Sequence, residues 1–121
     1  MSQKDHFFNI DALEQGISRN LSEGMTTRVF AGEEAMISIV RVEPGKSGEI
    51  HSHPQEQWGF CVQGSGLRMQ GGEQIEVGAG DFWRTPGNVE HGFTAGADGA
   101  VIYDVFAPPR EEYMKPGAGF R

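Results

Sequence analysis

The chain has 121 residues, 37% hydrophobic and 22% charged, with a formal charge of −7, 18 glycines and one cysteine. That length suits one domain with its own core. A lone Cys61 excludes an intramolecular disulfide framework, and the acidic balance argues against a phosphate-backbone binder. The longest apolar run, residues 35–40 broken by Ser38, falls far short of the roughly 20 residues of a membrane span. The polar start, residues 1–6, leads into no apolar region of the kind a secretory signal carries. A cytoplasmic domain with neither nucleic-acid nor membrane partners is the expectation.

Taken in chain order, only residues 10–21 resemble a helix, with Gly16 inside the pattern. Residues 25–30 and 35–42 are rich in β-branched side chains and bounded by Gly32 and Pro44-Gly45, so both read as strands. Further strands are expected at 56–63, 66–70, 74–77, 81–85, 92–95 and 100–106, separated by glycine- and proline-rich turns. Gly71-Gly72 is placed to make a two-residue hairpin. Glycine at roughly twice its usual share of about 7% fits many tight turns. Eight short strands at such regular spacing predict an all-β barrel or jelly roll. The segment 108–121, with three prolines, reads as a surface extension.

The chemistry concentrates in residues 45–57, Gly-Lys-Ser-Gly-Glu-Ile-His-Ser-His-Pro-Gln-Glu-Gln. Residues two apart on a strand share a face, so His51 and His53 project together and can bind one divalent metal through neutral nitrogens. The competing reading is a polar turn with both rings in solvent. Asp104 and Phe106 also share a face. An aspartate inside an apolar barrel suits a general acid or base beside a metal, or a cross-strand partner for an arginine. Phe106 reads equally as core. Arg110 follows Pro108-Pro109, which stiffens the turn before it, and a guanidinium fork suits a substrate carboxylate as well as it suits open solvent. Trp58 alternates away from Gln57, and Trp58 and Trp83 are expected on outer faces or at a subunit contact. Gly59 and Cys61 share Gln57's side. Glu56 and Gln57 compete as a fourth ligand.

These residues resemble the two cupin motifs. Gly45, His51, His53 and Gly64 fall on the first, with Gln57 where glutamate is usual; spacing to Gly64 favours Gln57 over Glu56. Gly80, Pro86 and His91 fall on the second, with Asn88 where glycine is usual and Ala95 where many members have asparagine. The resemblance covers about residues 28–113. It implies one cupin domain over 1–121, a double-stranded β-helix barrel with a short C-terminal extension, and one divalent metal (Zn, Ni, Mn or Fe) on His51, His53, Gln57 and His91.

A narrower resemblance, to the KdgF-type cupins, is carried by residues 51–57 and by Asp-Val-Phe-Ala-Pro-Pro-Arg-Glu-Glu-Tyr at 104–113. That family converts 4,5-unsaturated monouronates to linear keto forms. The resemblance implies Asp104, Phe106 and Arg110 as catalytic residues and a small, anionic, sugar-derived ligand. Two other functions suit the same residues: metal-dependent oxygen chemistry, and a non-catalytic sensing or ligand-binding module. Three imidazoles with a neutral amide suit oxygen activation less well than two imidazoles with a carboxylate. A homodimer is expected, because pairing of subunits covers exposed sheet edges.

Overall fold

A computed structural model describes residues 2–120. Its strands are β1 (Ile17–Ser22), β2 (Met25–Ala31), β3 (Met36–Val42), β4 (Glu56–Gln70), β5 (Glu73–Gly78), β6 (Phe82–Thr85), β7 (His91–Ala107) and β8 (Gly117–Ala118). They hydrogen-bond in the order β5-β4-β7-β3-β2-β1-β8, with β6 on the other side of β4. The sheet closes as a cupin jelly roll because β4 and β7, 15 and 17 residues long, each serve two layers. The first half of β4 pairs with β6 and the last half of β7; its second half pairs with β5 and the first half of β7.

Four of the predicted strands are thus two long, bent ones. The bend falls at register shifts between Cys61 and Gln63 and between Gly64 and Gly66. Gly64 has φ 81°, and a Cβ there would stand 2.0 Å from the carbonyl oxygen of Gly99. Only glycine lets the two strands approach so closely at the corner. Gly71 and Gly72, both at positive φ, make the predicted two-residue turn between Gln70 and Glu73.

Two expectations fail. Residues 10–21 form no helix: Gly16 stands at φ 78°, and from Ile17 onward the chain is β1, with Arg19 and Leu21 turned inward and Ser18 and Asn20 outward. Nor is the segment from Pro108 a surface extension, though Arg121 lies outside the described residues. It turns back over one end of the barrel and buries Arg110, Tyr113 and Phe120. The Arg19 guanidinium donates to the carbonyl oxygens of Glu112, Lys115, Ala118 and Gly119 and fixes this segment in place. The core between the layers contains Leu21, Met25, Val29, Met36, Val40, Phe93, Ile102 and Phe106. Among the described residues, no helix is long and apolar enough to cross a membrane.

Candidate metal centre

Three backbone features bring the histidines together. His51 and His91 face each other in an isolated antiparallel bridge, each N–H donating to the other's carbonyl at 3.0 and 2.9 Å. Asn88 takes φ 67°, the conformation that favours glycine, and its N–H donates to the carbonyl of His53 at 2.8 Å. Asparagine tolerates that region, which is why it can occupy the glycine position of the motif. Finally, β4 begins at Glu56, so that Gln57 points inward and is buried while Glu56 points out, accepting from Trp58 Nε1 and Arg84 Nε at 3.1 Å each.

The candidate nitrogens of His51, His53 and His91 all lie within 4.8 Å of one another, and the three residues are buried. Each Nδ1 is placed against a backbone carbonyl, of Glu49 at 3.0 Å, Gln55 at 3.1 Å and Val89 at 2.8 Å. These acceptors fix the Nδ1–H tautomer and leave the Nε2 lone pairs free for a ligand. Burial holds His51 down at about 4 and His91 at about 3, with Arg68 also disfavouring His91's charge; burial and then Arg110 lower His53. Neutral rings are the state a metal needs.

A divalent cation fits this donor set. His91 Nε2 is buried without a hydrogen-bond partner. His53 Nε2 faces Gln57 Oε1 at 3.0 Å. With Nδ1 carrying the proton, both of those atoms are acceptors, and a shared cation reconciles them.

Asp104 lies beside this cluster, on the strand register that matches Gly59 and Ser38. Burial pushes its carboxyl up to about 6, opposed in order by Arg68, a hydrogen bond from the Gln57 amide, and Arg110. Its Oδ1 has no hydrogen-bond partner. Phe106 is buried with its ring edge-on to His53, centroids 5.4 Å apart. Arg110 is neither a surface arginine nor fully open to a ligand. Its guanidinium lies 4.1 Å from the Tyr113 ring centroid and 5.4 Å from that of Phe106. Its Nη2 donates to the Phe120 carbonyl and to Glu112 at 3.4 Å, while Nε and Nη1 are unpartnered. These side chains surround a cavity of about 40 Å³, room for about three waters. Phe120 closes its mouth, ring centroid 4.4 Å from that of His51.

Two lining residues were not anticipated. Arg68 is buried, and Trp83, expected on an outer face, turns inward. Gly59 makes room for the indole: a Cβ there would stand 2.3 Å from Trp83 Nε1. The small residue opposite a tryptophan was the available signal. Trp58, as expected, is on the outside, 38% exposed. Cys61 packs in the core, with burial raising its thiol.

A closed jelly roll with three inward histidines gathered from both of its motifs defines a cupin with a site for a divalent metal. The chain belongs to the cupin family: the model of the cupin domain matches residues 38–106. It is 31% identical over 88 residues to the oxalate decarboxylase OxdC of Bacillus subtilis, covering 68% of this chain but 23% of that protein, about a quarter of its length. It is 25% identical over 96 residues to the pectin degradation protein KdgF of Dickeya dadantii, covering 78% of this chain and 87% of that one. Among solved structures, an RmlC-like cupin from Shewanella frigidimarina superposes with a TM-score of 0.79 at 26% identity, covering 93% and 99% of the two chains. KdgF from Halomonas superposes at 0.77 and 24% identity, covering 88% and 96%, a likeness of fold.

Proposed function

We propose that the protein is a metal-dependent enzyme that opens the ring of a small unsaturated uronate-like sugar acid. The observation that carries this reading is a half-buried carboxylate, Asp104, with its Oδ1 enclosed, lining the same cavity as a neutral three-histidine cluster. The likeness to a pectin degradation protein over most of both chains supports the substrate class. His51, His53, Gln57 and His91 hold the metal, and a divalent ion there supplies Lewis acidity toward ligand oxygens. Asp104 takes the proton of the sugar's anomeric hydroxyl. As that O–H bond breaks, a carbon–oxygen double bond forms and the ring C–O bond cleaves. The enol oxygen so released passes to a ketone when a proton returns to the neighbouring carbon. The product is an isomer of the substrate, so no oxidant is needed. Arg110 offers its free N–H groups to the carboxylate, and Phe106 walls the cavity.

The test follows the ultraviolet absorbance of a 4,5-unsaturated monouronate, which disappears with its conjugated double bond. Wild-type protein should accelerate the loss, and Asp104→Asn should abolish acceleration while metal content stays unchanged. No acceleration by metal-loaded wild type would reject the reading. The similarity to an oxalate decarboxylase favours one other assignment. It predicts consumption of oxalate by the same preparation. A sensing module would consume neither compound, and its ligand binding would survive Asp104→Asn.

An exposed apolar face supports the expectation of a homodimer. On the outer face of β4, β6, β7 and β3, Trp58, Phe60, Phe82, Val105 and Ile37 are neighbours in register. Phe60 and Phe82 stack at 5.3 Å, and Phe82 is 61% exposed. A second copy covering this face would remove that apolar surface from water.

A further inference from the structure

The charge inside the barrel is opposite to that of the molecule. The chain carries −7 overall, yet among the described residues two buried guanidiniums, Arg68 and Arg110, line the cavity against one half-buried carboxylate, Asp104, whose Oδ1 is enclosed; Glu49 stands exposed at the rim. The two arginines are held differently. Arg110 lies against the rings of Tyr113 and Phe106, is engaged by the carbonyl of Phe120 and is paired with Glu112 at 3.4 Å. Arg68 reaches in from β4, donating Nη2 to Thr85 Oγ1 at 2.8 Å and Nε to Gln70 Oε1 at 3.4 Å. Thr85 in turn donates to Gln70 at 2.7 Å. Those neighbours fix the plane of the guanidinium but neutralise none of its charge, since both are uncharged.

The nearby half-buried carboxylate of Asp104 offsets that charge only from a distance. Asp104 and Arg68 influence each other electrostatically but form no ion pair within 4.0 Å. Above the guanidinium lies the ring of Trp83, 5.5 Å from its central carbon, and the indole Nε1–H is buried with no acceptor among the described residues. A buried, unpaired N–H and a buried, unneutralised cation on one cavity wall are each costly to leave unsatisfied. Both costs are met by one ligand group: an anionic oxygen pair.

We propose that Arg68 and the Trp83 indole N–H form an anion seat in the cupin cavity, which takes a ligand carboxylate and selects anionic over neutral ligands. This assigns the carboxylate of a sugar acid a second anchor besides Arg110, and it rests on the reading of the cavity as a ligand site. Charge-assisted hydrogen bonds in a cavity shielded from bulk solvent are among the stronger polar contacts a protein makes. Loss of this one should therefore be read easily in binding.

The experiment is calorimetric titration of the zinc-loaded protein with three probes: D-galacturonate, its neutral counterpart D-galactose, and acetate. Wild type should prefer galacturonate to galactose. Arg68→Met should weaken galacturonate ten- to a hundredfold and leave galactose unchanged, with metal content still near that of wild type. Arg68→Lys should recover part of the loss, because it restores charge without the fork. Trp83→Phe, which keeps the ring and removes the N–H, should weaken galacturonate severalfold. Unchanged galacturonate affinity in Arg68→Met overturns the proposal, and so does an equal fall for galactose, which marks a structural role. Wild type that ignores galacturonate but binds acetate, with acetate binding lost in Arg68→Met, supports the seat while removing the sugar-acid reading. Wild type that binds none of the three overturns the seat itself.

Discussion

Replacing Gln57 by glutamate adds a single oxygen-borne charge at the most sensitive point of the cavity. The Gln57 side chain acts on Asp104 on one side, lowering its pKa, and its carbonyl faces His53 Nε2 at 3.0 Å on the other. Gln57→Glu therefore sets two carboxylates side by side. At about 4 Å and an effective dielectric of about 20, their repulsion is about 4 kcal/mol, roughly a thousandfold in a protonation equilibrium. Asp104 already titrates at about 6 because it is buried, so in the metal-free variant the pair keeps one proton through pH 8. Wild type at that pH holds none. A divalent cation arriving at His51, His53 and His91 expels the proton from the pair. Calorimetric titration with Zn²⁺ in buffers of different ionisation enthalpy counts it: the variant should release about one proton more than wild type. The metal should bind at least as tightly in Gln57→Glu, and an anionic ligand more weakly, since the new charge cancels part of the ion's field. Equal proton release by the two proteins at pH 8 would refute the placement of Gln57 between Asp104 and the metal.

Metal-free protein should take up about one divalent ion per chain, and His91→Ala should not. At a free-metal concentration 100 times Kd the gain is about 2.7 kcal/mol, which for a chain of this size raises Tm by roughly 10 °C; an unchanged Tm with zinc, nickel, manganese and iron alike would reject the site. Without metal, His51 and His91 lie at about 4 and about 3 against an ordinary 6.5. The unfolded chain therefore binds protons first, and stability should fall steadily as pH drops from about 6.5 to about 4. A urea midpoint that is flat over that window contradicts the neutral, buried assignment. Light scattering should return twice the 13.2 kDa chain mass, and Phe82→Glu should halve it; a wild-type mass near one chain excludes the dimer.

The barrel and its metal face were legible because their signals are local. Alternation and turn residues mark each strand, and the His-x-His pair with His91 after Pro86 marks the site. What escaped depends on contacts distant in sequence. Before the β4 corner the inward residues are odd-numbered, Gln57, Gly59 and Cys61; beyond it the buried one is Arg68. A bulge inverts the alternation, so a strict period of two puts Arg68 outside. Trp83 points inward only because Gly59, on the neighbouring strand, leaves it the space. The helical pattern of residues 10–21 gave way to edge pairing of β1 with β2. The proline-rich C-terminal segment carries few strand signals, and its burial comes from Arg19, nearly a hundred residues earlier.

That last contact changes how the barrel end behaves. The segment that lays Phe120 on His51 is held by a two-residue parallel pairing with β1 and by one guanidinium that gathers four of its carbonyls. The Arg110 guanidinium also donates to the Phe120 carbonyl, and the Gly119 N–H donates to the Asn20 carbonyl, so the segment is tied down at several points along its length. The cavity of about 40 Å³ is the volume with that piece seated. Through this segment a side chain of the first strand helps fix the part of the cavity wall that Tyr113 and Phe120 supply.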